Sequence, residues 1–220
     1  MILPSDQDYL QTKRLKKEAI PLEGPFRELA AWVSSTYQVS VLNILHDIVA
    51  PDARPRLRII LEFTCDALKF REANSINFDS AKQTAICDHF LTLLPQHGNH
   101  RFKVNGLFVV FSAFEDVARI EANARVTKRE LEILQTRLAN ETLWLIRTAF
   151  DGVIFFFHTD AQVKETEGSV LRETFAQEYA RLVEPYDEFG YLRRRGIAVG
   201  FDSKENFDTK YQSNWFYYFR

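Results

Sequence analysis

The spacing of apolar residues predicts an α+β fold: a mixed, mostly antiparallel sheet with helices packed on it and one βαβ unit near residues 153–201. Three observations carry this expectation. Residues 153–157 form an unbroken apolar run between a turn signal, Asp151 and Gly152, and a cap signal, Thr159 and Asp160. Such a run, rich in aromatic and β-branched side chains, reads as a strand buried on both faces. Residues 37–63 hold two runs of period 2 around Pro51 and Pro55, the pattern of antiparallel strands with one wetter face. Residues 112–149 and 160–184 repeat apolar side chains every three or four positions, the period of a helix.

The elements follow in order. Ser5 and Asp6 are suited to cap a first helix that carries Lys13, Arg14, Lys16 and Lys17. Pro25 opens a second, with Phe26, Leu29, Ala30 and Val33 on one face. In the first strand Tyr37, Val39 and Val41 alternate with polar residues. In the second, Leu57, Ile59, Leu61 and Phe63 do so, and Arg54, Arg56 and Arg58 form a basic face. Asp79 or Ser80 caps a helix with Ile86, Phe90, Leu93 and Leu94 inward and Pro95 just past its end. Asn105 and Gly106, between apolar runs at 101–104 and 107–111, predict a hairpin.

Ser112 and Glu115 match a capping box, opening a long helical pattern over residues 113–149. Unbroken, it would be about 55 Å long at 1.5 Å per residue. A compact chain of this size has a radius of gyration of only about 17 Å. A second capping box, Thr127 and Glu130, therefore predicts a break near residues 125–128; the alternative is a protruding helix that pairs in a homodimer. Beyond the strand at 153–157, Asp160 or Ser169 caps a helix lined by Val170, Leu171, Phe175, Tyr179 and Leu182. A strand over 196–201, a polar loop over 202–212 and an aromatic strand over 215–219 complete the reading. No convincing repeat and no dividing linker appear. The chain reads as one globular domain over residues 1–220, with residues 1–35 a helical arm packed on it.

Composition narrows the function classes. Net charge is −2, so no global field calls for nucleic acid. No apolar run reaches the roughly 18 residues of a membrane span, and the N-terminal residues lack the pattern of a secretory signal. Cys65 and Cys87 read as reduced thiols of a cytoplasmic protein. Only 8 glycines are present, and no phosphate-cradling or nucleophile-elbow motif occurs. No cofactor is implied.

Candidate chemistry is sparse. Cys87, His89, His97 and His100 are dense in potential ligands. Helical geometry sets Cys87 and His89 on opposite sides of an apolar stripe, so no metal site is assigned. His158, Asp160, Asp202 and Glu205 fall at the ends of strands that would be parallel neighbours, where ligands gather in open α/β sheets. They are candidate acid–base groups for a small-molecule hydrolase; helix capping explains the same residues without catalysis. Arg193, Arg194 and Arg195, beside Tyr191, are the strongest basic feature for nucleic acid, and they directly follow an acidic helix that would pair with them.

Residues 160–188 carry eight Asp and Glu against Lys164, Arg172 and Arg181. Glu165, Glu173, Glu178 and Glu184, with Trp215 and Tyr217 as aromatic anchors, make a candidate surface for a protein partner with a basic face. The first expectation is a non-catalytic, cytoplasmic protein-binding module of the immunity or antitoxin kind. The second is the hydrolase, and the third a nucleic-acid binder.

Overall fold

A computed structural model describes residues 3–97 and 102–220. The fold is α+β, with helices packed on two mixed three-stranded sheets among these residues. The chain divides into two compact units, residues 1–117 and 118–220. The division falls inside a helix rather than a linker, which is why composition marks no boundary there.

In the first unit, α1 (Gln7–Lys17) and α2 (Gly24–Tyr37) precede β1 (Val41–Val49) and β2 (Arg54–Leu61). Pro25 sits in the first turn of α2, where its missing N–H costs nothing. The helix runs through Tyr37 and stops at Gln38, which takes a left-handed conformation and donates its N–H to Ser34 O. The strand therefore begins later than the alternation from Tyr37 suggests. After β2 come α3 (Thr64–Leu68), α4 (Ser80–His97), β3 (Phe108–Ala113) and α5 (Phe114–Ala124). β1 pairs antiparallel with β2, and β3 lies parallel to β2 on its other side. Ile44, Leu57, Ile59, Leu61, Val109 and Phe111 face α2 and α4 across a core that includes Leu29, Val33, Phe70, Ile86 and Phe90. The opposite face carries α1, through Asn43 Nδ2 donating to Thr12 Oγ1 (3.0 Å) and an Arg58–Asp8 ion pair.

The second unit takes in the rest of α5 and then α6 (Lys128–Leu138), capped by the expected box: Glu130 N–H donates to Thr127 Oγ1 and the Glu130 carboxylate accepts from Thr127 N–H. Then follow β4 (Leu143–Ala149), β5 (Gly152–Phe157), α7 (Asp160–Glu167), α8 (Leu171–Val183) and a 3-10 turn (Glu184–Tyr186). α9 (Tyr191–Arg195), β6 (Ala198–Ser203), α10 (Lys204–Tyr211) and α11 (Trp215–Tyr218) complete it. β5 is the central strand, antiparallel to β4 and parallel to β6. Phe155, Phe156 and Phe157 are fully buried, each contributing about 1.5–3 kcal/mol of burial free energy. Phe155 and Phe157 pack on Phe175 and Phe201, while Phe156 faces the other way, toward Trp215 and Tyr218. Gly152 is required by close approach. A Cβ there would lie 2.4 Å from the Ala198 carbonyl oxygen.

The two units repeat one plan that the residue pattern did not reveal. Each runs helix, two antiparallel strands, a helical connection (two helices in the first unit, three and a 3-10 turn in the second), a third strand parallel to the second, and a helix. The pairing register carries the same irregularity at the same place, between Val41 and Asn43 in one and between Leu143 and Leu145 in the other. Loop hydrogen bonds repeat as well. Glu62 N–H donates to Ser40 O (2.8 Å), as His158 N–H does to Thr142 O (3.1 Å).

Several expectations are corrected. Phe108–Ala113 joins β2 rather than forming a hairpin about Asn105 and Gly106, and Phe102 to Val104 form no strand; Arg101 lies outside the described residues. Gly106 does take the positive φ the turn signal implied, while Asn105 does not, so the turn lacks the two positive φ angles of a tight hairpin. Ser112 is in β3 and does not cap α5, because the chain there is still paired to Ile60. The 113–149 pattern is α5, α6 and β4, broken where Thr127 predicts. The continuous helix on which a homodimer would have been built is not formed. Pro95 lies within α4. The 202–212 segment is largely α10, and the terminal aromatics form a helical turn rather than a strand.

A buried polar network fixes the β4–β5 turn. Asn123 Nδ2 donates to Phe150 O (2.9 Å) and Gly152 O (2.7 Å), and Asn123 Oδ1 accepts from the Tyr179 hydroxyl (2.6 Å). Burial pushes the Tyr179 phenol far above its ordinary 10.0. Above about pH 10 the unfolded chain releases this proton and the folded chain keeps it. Stability is therefore intact below that pH and falls as pH rises beyond it. Tyr179→Phe should lower stability at neutral pH by about 1–3 kcal/mol, because Asn123 Oδ1 loses its donor, and should make the alkaline loss shallower. Urea melts at pH 7 and pH 11 measure both effects.

Candidate functional site

The parallel pairing of β5 and β6 brings their carboxyl ends side by side, with Phe157 opposite Ser203. His158, Asp160, Asp202 and Glu205 do gather at this rim, as the parallel-neighbour argument requires. Their polar atoms are engaged in helix starts. Thr159 caps α7 in a reciprocal box with Gln162. Asp160 N–H donates to Glu205 Oε2 (3.0 Å), and the Asp160 carboxylate accepts from the Ser203 hydroxyl. Ser203 Oγ in turn accepts from Asn206 N–H at the start of α10 (2.8 Å). Asp202 Oδ1 accepts from Ser203 N–H (2.7 Å) and Asn206 Nδ2 (2.9 Å), and Oδ2 accepts from the Tyr218 hydroxyl (2.5 Å). Burial, and then this bond to Asp202, hold the Tyr218 phenol well above its usual range.

His158 is exposed. Its backbone accepts from Glu205 N–H (3.3 Å), and its ring has no hydrogen-bond partner among the described residues. A general base is oriented by a second group within hydrogen-bond reach, and this imidazole has none. The same construction recurs in the first unit, without a histidine. Thr64 N–H donates to Glu115 Oε2 (2.8 Å), and Glu115 N–H donates to Glu62 O (3.0 Å). Glu205 and Glu115 are thus equivalent carboxylates that accept the first N–H of the helix leaving the central strand.

The other surface centres on α11. Trp215 stacks on Phe207 (4.1 Å between centroids), with Trp144 beside it and the Arg147 guanidinium 4.1 Å above its ring. Asn214 caps the turn by accepting from Phe216 N–H (2.9 Å). Trp215, Tyr218 and Phe219 share one side of the turn and pack on one another. Phe216 and Tyr217 project from the other side, 68% and 48% exposed. The expected anchor Tyr217 is thus presented outward, whereas Trp215 is half-buried as part of the support. Phe216 was missed. Read at helical rather than strand spacing, positions 215, 218 and 219 would have marked the inner side and left 216 and 217 outside.

Of the acidic candidates, Glu165 on α7, Glu173 on α8 and Glu184 just beyond it are exposed. Glu178 is not available in the same way, because it faces α6 and pairs with Arg137 (2.9 Å) and with Arg181. The Arg56 and Arg54 side chains are also engaged within the chain, whereas Arg193 is held there only through its backbone N–H. Arg56 makes two hydrogen bonds to Asp47, at 2.9 and 2.5 Å. They hold the Asp47 carboxyl below the usual carboxylate range. Arg54 lies 4.6 Å over the Phe108 ring, and Arg193 N–H donates to Asp187 Oδ2 (2.9 Å).

The cysteine and histidine cluster does not converge. His89 stacks on Trp32 (4.2 Å) and His97 bonds Glu28 (3.0 Å). The Cys87 thiol approaches Leu107 O (3.7 Å), and burial raises its pKa. His100 lies outside the described residues. Among the described residues no group of three or more His, Cys, Asp or Glu is placed to hold a metal ion, and no helix is long and apolar enough to cross a membrane.

The rim geometry makes a testable contrast. Glu205→Ala removes an exposed acceptor at a helix start and should destabilise the protein by about 0.5–2 kcal/mol. His158→Ala, whose ring is exposed, should change stability by less than about 0.5 kcal/mol. Parallel thermal melts of the two variants decide between a structural rim and one in which His158 is a packed core residue. The chain itself matches no protein-family model, no curated protein and no solved structure.

Proposed function

We propose that this protein is a non-catalytic binding module of the immunity or antitoxin kind, acting in the cytoplasm by covering a basic surface of a partner protein. The observation that carries this reading is the exposed Phe216 and Tyr217 pair on a helical turn immobilised from beneath by stacked aromatics. Interfaces draw most of their affinity from a few aromatic or arginine anchors, and an anchor held in place before binding loses less entropy on association. Exposed Glu165, Glu173 and Glu184 supply the acidic component, which speeds and orients encounter with a basic protein. The occupied carboxylates of the His158 rim support the same reading, since they explain those residues without a reaction.

The test is capture from the native host's lysate on the immobilised protein, followed by kinetics with the purified partner. Phe216→Ala with Tyr217→Ala should leave the melting temperature unchanged and weaken binding at least about tenfold, mainly through faster dissociation. Glu173→Lys with Glu184→Lys should slow association and flatten its dependence on salt. Unchanged kinetics in both double variants would overturn the proposal.

A further inference from the structure

The second unit contains a cavity of about 240 Å³ between the end of α8 and α9. Its floor is apolar: Val183 and Leu192 are buried, and Ile197 partly so. Four charged side chains line the mouth. Arg181 pairs with Glu178, and the Asp187 carboxylate accepts from the Arg193 backbone N–H, a neutral donor that leaves its charge uncompensated. The other two are exposed: the Glu184 carboxylate and the Arg193 guanidinium have no ion pair among the described residues. Two carboxylates and one guanidinium without an ion pair among the described residues therefore border an apolar floor. The last turn of α8 forms the same wall as Glu184, and the negative end of a helix favours a cation beside it.

We propose that this cavity binds an apolar α-amino acid, free or as the N-terminal residue of a chain. Its side chain sits on Val183, Leu192 and Ile197. Its ammonium lies at Glu184 beside the α8 terminus, and its carboxylate or carbonyl oxygen accepts from Arg193. The ligand brings a cation to the two carboxylates, Glu184 and Asp187, and a carboxylate or carbonyl oxygen to the Arg193 guanidinium. A lone cation or anion would leave one sign unmatched. The volume agrees. Sites for drug-sized ligands span about 300–1,000 Å³, and this cavity is one step smaller. The site is distinct from α11; it shares Glu184 with the acidic surface of the proposed function but does not depend on that reading.

Calorimetric titration of the full chain with L-leucine, glycine, N-acetyl-L-leucine and the tripeptide amide Leu-Ser-Gly tests the assignment. Saturable binding of leucine or of the tripeptide is expected, with the tighter of the two identifying the free or the chain-terminal source. Glycine, lacking the side chain, and N-acetyl-leucine, lacking the ammonium, should bind at least about tenfold more weakly. Glu184→Gln and Arg193→Gln, both on the surface, should each weaken leucine or tripeptide binding about tenfold while leaving the melting temperature unchanged. Absence of saturable binding of leucine and tripeptide up to about 10 mM would overturn the proposal. So would affinity that is unchanged by acetylation or by Glu184→Gln.

Discussion

The fold depends on a carboxylate that ties two strand ends together. In each unit a glutamate in the first turn after the parallel strand accepts the N–H of the first residue of the helix leaving the central strand. Glu115 does this for Thr64 and Glu205 for Asp160. The glutamate's own N–H returns to the carbonyl just before that helix. The first N–H groups of a helix have no partner within it, and strand carboxyl ends splay unless something joins them. One side chain answers both needs and fixes where the following helices start. The interaction is local, charge-assisted and repeated, and the parallel register of β2 with β3 and of β5 with β6 ends at it.

Much of this was legible in the residues, and the failures have physical reasons. The run at 153–157 is a central strand because nothing polar interrupts it. Thr127 breaks the long helical pattern because its box with Glu130 satisfies a helix start. Local signals of that kind survive folding. The parallel strand β3 was misread because Asn105 and Gly106 announce a turn without saying what the turn pairs with. Its true partner, β2, is distant in sequence. Ser112 and Glu115 look like a box, yet the Glu115 carboxylate accepts from Thr64 N–H, 51 residues earlier in the chain. The repeat escaped notice because the connections differ in length, so no fixed period runs through the sequence, and few equivalent positions keep the same residue: Val109 and Val199, Phe111 and Phe201, Glu115 and Glu205.

The candidate rim shows the same limit from the other side. His158, Asp160, Asp202 and Glu205 share one rim because parallel neighbours must bring their ends together. Which carboxylates are occupied depends on partners distant in sequence. Tyr218, whose hydroxyl holds Asp202, was assigned to a strand and so to no role. The same misassignment hid Phe216. A five-residue aromatic run has strand propensity, but Asn214 caps it as a helical turn, and that cap separates a packed side from an exposed one. The exposed aromatic pair is thus a product of the terminal turn, and the carboxylates of the rim hold helix starts and the Tyr218 hydroxyl.

The repeated carboxylate tie can be measured directly by residue-resolved amide hydrogen exchange. Thr64 and Asp160 are the first residues of α3 and α7, positions whose amides ordinarily exchange as freely as a frayed end. Both should be protected to the level of neighbouring strand amides if the carboxylates hold them. Glu115→Ala should expose Thr64 alone and Glu205→Ala should expose Asp160 alone. Exchange of both amides at unprotected rates in the unmodified protein would contradict the carboxylate tie.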